Sequence, residues 1–320
     1  MKNIWVNGIM GVVVGDALGV PVQFTRRVEL KMNPVKTMQG YGCYNMPPGT
    51  WSDDSSMALA TLDSLRENGE VNYADIMERF LKWLLDGEYT PAGTAFDQGN
   101  TCVDAIYNYM KKKDYRTCGK TGEWANGNGA LMRIMPACLY AYEKVLRKEW
   151  DLGQGLDCVH QISALTHNHL RSKMACGIYY FMIKNIIEGS KSLLERLQTG
   201  VNEARKFYQE DIANYAELAH YTRLFRLDEF ATSEEDTIKS SGYVVDSLEA
   251  AVWSLITTDT LEECLLRAVN LGDDSDTVGA IAGGLAALFY GYDSVPEEWR
   301  KQIIKEQEII ALCEMMEEKI

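Results

Sequence analysis

Residues 278–290 are small and apolar side chains with helical spacing, and a helix apolar all round has to pack inside the molecule. Directly ahead of it stands Gly272-Asp273-Asp274-Ser275-Asp276-Thr277, with three carboxylates within four residues. A close-packed helix led by mutually repelling charges restricts the fold sharply, because those charges have to meet compensating groups. The free N–H groups and the dipole of a helix N-terminus favour anions and supply part of that compensation. A bound cation would supply the rest. The same construction recurs in Gly49-Thr50-Trp51-Ser52-Asp53-Asp54-Ser55-Ser56, which leads into the helical pattern Met57, Leu59, Ala60, Leu62 and Leu65. Taken singly, Ser52 to Ser55 reads as an ordinary N-cap, since Ser and Asp are preferred there. Taken as a pair, two acid-tipped helices far apart in sequence fit convergence on one metal centre. Their donors are carboxylate and hydroxyl oxygens with no His or Cys nearby, a set suited to magnesium, manganese or calcium. An EF-hand is excluded, because Val278 falls at its fifth position and Leu285 stands where the bidentate Glu is required.

The rest of the chain keeps the helical period. Apolar residues recur at Ile76, Met77, Phe80, Leu81, Leu84 and Leu85 within residues 73–85, at Met174, Ile178, Phe181, Met182 and Ile186 within 172–187, and at Val244, Leu248, Ala251, Val252 and Leu255 within 243–256. Pro296-Glu297-Glu298-Trp299 reads as another helix start. Strict alternation over strand lengths is almost absent, so the expected fold is all-α, a compact single domain over residues 1–320 built around a few apolar central helices. Residues 86–100 and 112–129 are Gly-rich and polar without helical spacing, which predicts two loops over one surface. Residues 188–243 read as a peripheral helical insertion.

A formal charge of −14 argues against a general nucleic-acid binder, since phosphate neutralisation needs a basic face. The eight cysteines show no C-x-x-C spacing and read as reduced thiols in a reducing compartment, which predicts a cytoplasmic protein. A signal peptide is not expected at residues 4–14, where Asn7 and Gly8 interrupt the apolar run and Asp16 follows it. Residues 278–290 are too few to span a bilayer, which takes ~20 residues, so no membrane association is expected. Oligomeric state is not readable.

Four further stretches carry chemistry. Gly15-Asp16-Ala17-Leu18-Gly19-Val20-Pro21 sets an acid where the first helix is expected to break at Gly19 and Pro21. Asn126-Gly127-Asn128-Gly129-Ala130-Leu131-Met132-Arg133 leads into a helix, and its glycines allow backbone N–H groups to approach a phosphate or ribose, although Asn-Gly is also a common turn. Thr166-His167-Asn168-His169 precedes a helix; two His at this spacing could hold zinc, but no third ligand is near, and His167 reads better as a substrate contact. Phe96-Asp97-Gln98-Gly99-Asn100 puts an acid in a loop ahead of a helix, which also fits an N-cap.

In this order, Gly15-Asp16-Ala17-Leu18-Gly19, Trp51-Ser52-Asp53-Asp54-Ser55, Phe96-Asp97-x-Gly99-Asn100, Gly127-Asn128-Gly129-x-x-Met132-Arg133, Thr166-His167 and Asn270-Leu271-Gly272-x-Asp274-x-Asp276-Thr277 resemble the ADP-ribosylglycohydrolase family over nearly the whole chain. The resemblance implies a compact all-α domain with two divalent cations, magnesium or manganese, at the base of a cleft. It assigns the metal half-sites to Ser52, Asp53 and Asp54 and to Asp274, Asp276 and Thr277, and a general base to Asp97. It places Asp16, Gly127, Asn128, Gly129, Met132, Arg133 and His167 around the ADP-ribose, with Tyr243 as an adenine or ribose neighbour. The implied activity is hydrolysis of the bond between ADP-ribose and an acceptor on a modified protein or a small molecule, with the arginine guanidinium expected.

One position departs from the family pattern. Many relatives carry Glu seven residues after the first Asp, and here that residue is Gln23, an amide that neither gives nor takes a proton at neutral pH. Two readings follow: chemistry resting on Asp97, or a non-catalytic ADP-ribose binder or structural relative.

Overall fold

The structure, a computed structural model, describes residues 3–319. These contain sixteen α-helices and several 3-10 turns, with no β-strand beyond three isolated bridges. Helices stand where apolar spacing predicts them, at Asp53–Asn68, Tyr73–Asp86, Leu170–Glu188, Val244–Ile256 and Ser275–Tyr290. Their starts are fixed locally. Asn72 accepts a hydrogen bond from the Asp75 N–H at 3.1 Å, and His169 accepts one from the Arg171 N–H at 3.2 Å. The first helix ends at Gly19 and another starts after Pro296, both as expected. Past Gly19 the chain tightens into the 3-10 turn Val20–Val22, where Pro sits at the start and its missing N–H is not needed. The helix after Pro296 is a single turn, Glu297–Arg300.

The centre of the fold is an antiparallel crossing of the first helix, Ile4–Gly19, with Ser275–Tyr290. The contact is backbone on backbone. A Cβ at Gly15 would lie 2.0 Å from the Gly279 carbonyl oxygen, and one at Gly11 would lie 2.3 Å from that of Gly283. No side chain larger than hydrogen fits there. Gly19 rests in the same way on Asp276, with a Cβ 2.4 Å from its Cα. The C-terminal end of the first helix is thereby pressed onto the acidic tip of the other. By length and composition Ile4–Val22 is apolar enough to cross a membrane, but 89% of that window is buried inside the fold.

Asp53–Asn68, Met135–Leu146, Leu170–Glu188 and Val244–Ile256 pack around this pair and close one continuous apolar core. Within residues 188–243, the helix Leu193–Gln209 starts from a Ser192/Glu195 capping box and buries Leu197, Val201, Ala204 and Tyr208 against Leu170–Glu188. The two Gly-rich segments lie over the same mouth, as expected for loops carried by a rigid scaffold.

Candidate active site

The two acid-tipped helices meet. Thr277 Oγ1 donates to Asp54 Oδ1 at 3.4 Å, joining helix starts more than 200 residues apart in the chain. Asp16 prepares the first tip: its carboxylate accepts the Ser52 N–H at 2.9 Å, the Ser55 N–H at 3.1 Å and the Ser55 hydroxyl at 2.5 Å. The anion therefore caps the Asp53–Asn68 helix from outside, where the dipole favours it. At the second tip Asp276 Oδ1 accepts the Thr277 N–H at 2.9 Å, and Asp274 occupies the N-cap position.

Burial first, and the neighbouring carboxylates second, push Asp53, Asp54 and Asp276 well above the ordinary carboxylate range. Burial also raises Asp274, and it raises Asp16 to about 6 against the lowering effect of its hydrogen bonds from Ser55 and Ser52. Two oxygens in this cluster, Asp54 Oδ2 and Asp276 Oδ2, are buried without a hydrogen-bond partner. Partnerless carboxylate oxygens among like charges, with hydroxyls beside them, are a donor set that fits a hard divalent cation. Among the described residues no three His, Cys, Asp or Glu side chains are placed to hold a metal ion by themselves. The fit therefore rests on donor type and on the two orphaned oxygens.

Asp97 stands beside the tips with a left-handed backbone, φ 57°, on the loop after Tyr73–Asp86. It is not an N-cap; Gly99 takes that position before Asn100–Lys112. Both carboxylate oxygens are held. Gln23 Nε2 donates to Oδ2 at 2.8 Å, and the Tyr44 hydroxyl donates to Oδ1. Gln23 Nε2 also reaches Asp274 Oδ1 at 3.3 Å, while its Oε1 is buried and unpartnered. Tyr44 was not anticipated from the sequence. Its only local signals are the turn-forming Gly42 and Asn45 around it, with Asn45 at φ 53°.

The acids face a cavity of about 670 Å³ whose other wall is Gly127, Asn128, Gly129, Met132 and His167. Asn128 Nδ2 spans the two walls, donating to Asp274 Oδ2 at 2.6 Å and to Ser247 Oγ at 2.9 Å. Phe24, 64% exposed at φ 62°, lies at the mouth and is tied to the second tip by its N–H to the Asp273 carbonyl at 2.6 Å.

Asp53, Asp54, Asp274 and Thr277 line this cavity with Gln23 and Asp97, whereas Ser52 and Asp276 sit behind it. Three residues expected around the nucleotide do not line it. Asp16 is fully buried and its oxygens are taken up by Ser52 and Ser55. Arg133 is fully buried beneath the Gly127–Met132 wall, over the Phe80 ring at 4.8 Å, with Nη2 donating to Thr166 Oγ1 at 2.8 Å. Tyr243 precedes Val244–Ile256 and accepts at its hydroxyl from Arg171 Nη1 at 3.2 Å. Spacing alone did not reveal that these side chains turn inward or aside.

An all-α scaffold that brings two acidic helix starts and a loop aspartate to one cavity, opposite a Gly-Asn-Gly wall, defines a hydrolase-like site for a polar ligand. The ADP-ribosylglycohydrolase family model matches residues 5–320, and the chain belongs to that family of hydrolases. It is 32% identical over 299 residues to an ADP-ribosyl-[dinitrogen reductase] glycohydrolase of Rhodospirillum rubrum, covering 92% of this chain and 88% of that one. It is 30% identical over 308 residues to an ADP-ribosylarginine hydrolase of Serratia proteamaculans, covering 96% and 77%. A solved ADP-ribosylglycohydrolase-related protein complex superposes with a TM-score of 0.77 at 28% identity, over 99% of this chain and 98% of that one.

Proposed function

We propose that the chain hydrolyses the bond between ADP-ribose and the guanidinium of a modified arginine, with two divalent cations, magnesium or manganese, held between the helix tips. The observation that carries this reading is the meeting of the tips: Thr277 on Asp54 at 3.4 Å, with Asp54 Oδ2 and Asp276 Oδ2 buried and partnerless. Relatives named for ADP-ribosylarginine and for dinitrogen reductase support the substrate class.

Ser52, Asp53 and Asp54 would hold cations from one side and Asp274, Asp276 and Thr277 from the other. When bound, such cations supply positive charge that offsets the carboxylates and attracts ribose and water oxygens. The chain's own residues do the rest. Gly127, Asn128 and Gly129 hold the ribose and diphosphate side, and Asp97 takes a proton from water as its oxygen bonds to the anomeric carbon. The carbon–nitrogen bond breaks, and the departing guanidine takes up the proton that Asp97 received from the water, leaving as guanidinium and restoring the carboxylate. Gln23 and Tyr44 fix the direction in which Asp97 faces. An arginine-linked substrate suits this site because a guanidinium leaving group needs less proton help than a seryl oxygen, and Gln23 has no proton to give. Eight unpaired cysteines fit a reducing compartment such as the cytoplasm.

Gln23 favours one second reading, an ADP-ribose binder that does not turn over. Incubation with magnesium and an ADP-ribosylated arginine peptide separates the two: release of free ADP-ribose is expected, and binding without release would replace hydrolysis by the binder.

A further inference from the structure

The wall opposite the acids contains a buried polar chain of three side chains. Arg133 Nη2 donates to Thr166 Oγ1 at 2.8 Å, and Thr166 Oγ1 lies 2.9 Å from His167 Nδ1. All three residues are at most 2% exposed. A guanidinium has donors only, so Thr166 must accept from Arg133 and its single proton is free for another partner. Two acceptors are within reach, His167 Nδ1 and the buried thiol of Cys102, which also neighbours Thr166. An imidazole nitrogen is a far better acceptor than sulfur. A proton placed on Thr166 toward Nδ1 leaves the other ring nitrogen, Nε2, carrying the hydrogen.

Nε2 is on the cavity side. It lies 3.5 Å from where a Cβ on Gly127 would sit, His167 lines the cavity, and among the described residues no protein group takes up this nitrogen. We infer that Arg133 and Thr166 are positioning residues that fix His167 in its Nε2–H tautomer, so that the wall presents a neutral donor to an acceptor oxygen of the ligand. The ring stays neutral, because burial and then the Arg133 charge lower it to about 3. Arg133 thus serves the cavity without touching it. Its Nε and Nη1 are buried and unpartnered; Nη2 also donates to the Ile162 carbonyl at 3.2 Å, and the Phe80 ring lies 4.8 Å from the guanidinium. The class of ligand, ADP-ribose with its ribose and diphosphate oxygens, rests on the function proposed above; the tautomer does not.

The chain has only four histidines, which makes a direct test tractable. Long-range proton–nitrogen correlation spectra of the nitrogen-labelled full chain report each ring's tautomer without ligand. His167 is expected to carry its proton on Nε2, and a proton on Nδ1 overturns the inference. In parallel, calorimetry with free ADP-ribose compares the wild type with Thr166→Val and Thr166→Ser. Loss of one neutral hydrogen bond in the chain should weaken binding about tenfold in Thr166→Val, with Thr166→Ser within about twofold of wild type. Unchanged affinity in a folded Thr166→Val overturns the positioning role. A wild type with the Nε2–H tautomer that binds no ADP-ribose overturns the ligand assignment, and the proposed function with it, while the tautomer stands on the spectra alone.

Discussion

Asp54 and His167 are buried to nearly the same depth, 1% and 2% exposed, on facing walls of one cavity, yet their surroundings have opposite polarity. The charges that act on Asp54 are all carboxylates, and an acceptor oxygen is left over. Around His167 the nearest charge is a guanidinium, and a donor is left over. Depth alone does not decide how a buried polar group behaves; the sign of what lies behind it does. One wall calls for a cation and the other for an oxygen acceptor. A ligand with vicinal hydroxyls and a diphosphate satisfies both at once.

The largest test removes the cation side. Asp54→Ala with Asp276→Ala deletes both orphaned oxygens, and release of ADP-ribose in magnesium should fall by at least about a thousandfold, the scale of losing a metal's charge stabilisation. Near-wild-type turnover in the double variant would erase the distinction between the walls.

The donor wall is probed by Gly129→Ala. A Cβ there would lie 2.9 Å from His167 Cε1 and 3.0 Å from Cys102 Sγ, so the ring has to shift. ADP-ribose affinity should drop about tenfold, equivalent to roughly one hydrogen bond, with the magnesium requirement for turnover unchanged. Tyr44→Phe leaves both walls in place and frees one oxygen of Asp97. Its kcat should fall about fivefold with KM within about twofold, since the phenol acts on the base and not on the ligand.

A smaller effect follows from protonation. Asp16, raised to about 6, and Asp53, Asp54 and Asp276, raised well above the ordinary range by burial, bind protons more tightly in the folded chain than in the unfolded one. Their contribution to stability is full below the ordinary carboxylate pKa of about 4. It is lost as pH rises through about 6 and above. Melting in chelator should therefore drop by a few degrees as pH rises from about 5 to about 8, and magnesium should remove most of that drop. A flat profile in chelator would mean that the acids find compensation elsewhere. The smallest change expected is a gain: Gln23→Glu should add weak release from an ADP-ribosylserine peptide, measured beside the arginine substrate.

Much of the acidic wall was legible in the sequence because capping residues and helix starts are local. Asp53, Asp54, Asp274 and Asp276 announce themselves by their place ahead of apolar helical runs, and Asp97 and Gly127 to Gly129 by loops without periodicity. What stayed hidden depends on contacts distant in the chain. Asp16 looks like a helix end until Ser52 and Ser55 are seen to donate to it, and Tyr44 has no visible role until Asp97 is set 53 positions away against its hydroxyl. Arg133 matched a ligand-binding motif by position, but whether its side chain faces the cavity or the core is decided by Phe80 and Thr166, which spacing does not reveal. The glycines at 11, 15 and 19 carry the central crossing, yet one chain segment read alone shows only half of it.

That crossing also sets a schedule for biosynthesis. Residues 11 and 15 find their seats only against residues 283 and 279, so the helix Ile4–Gly19 cannot complete its packing during synthesis until the chain has been made as far as residue 283. Products terminated before residue 279 therefore leave open the face of Ile4–Gly19 that Ser275–Tyr290 would cover, and they should be recognised by chaperones or proteases long before any of them could act on a substrate.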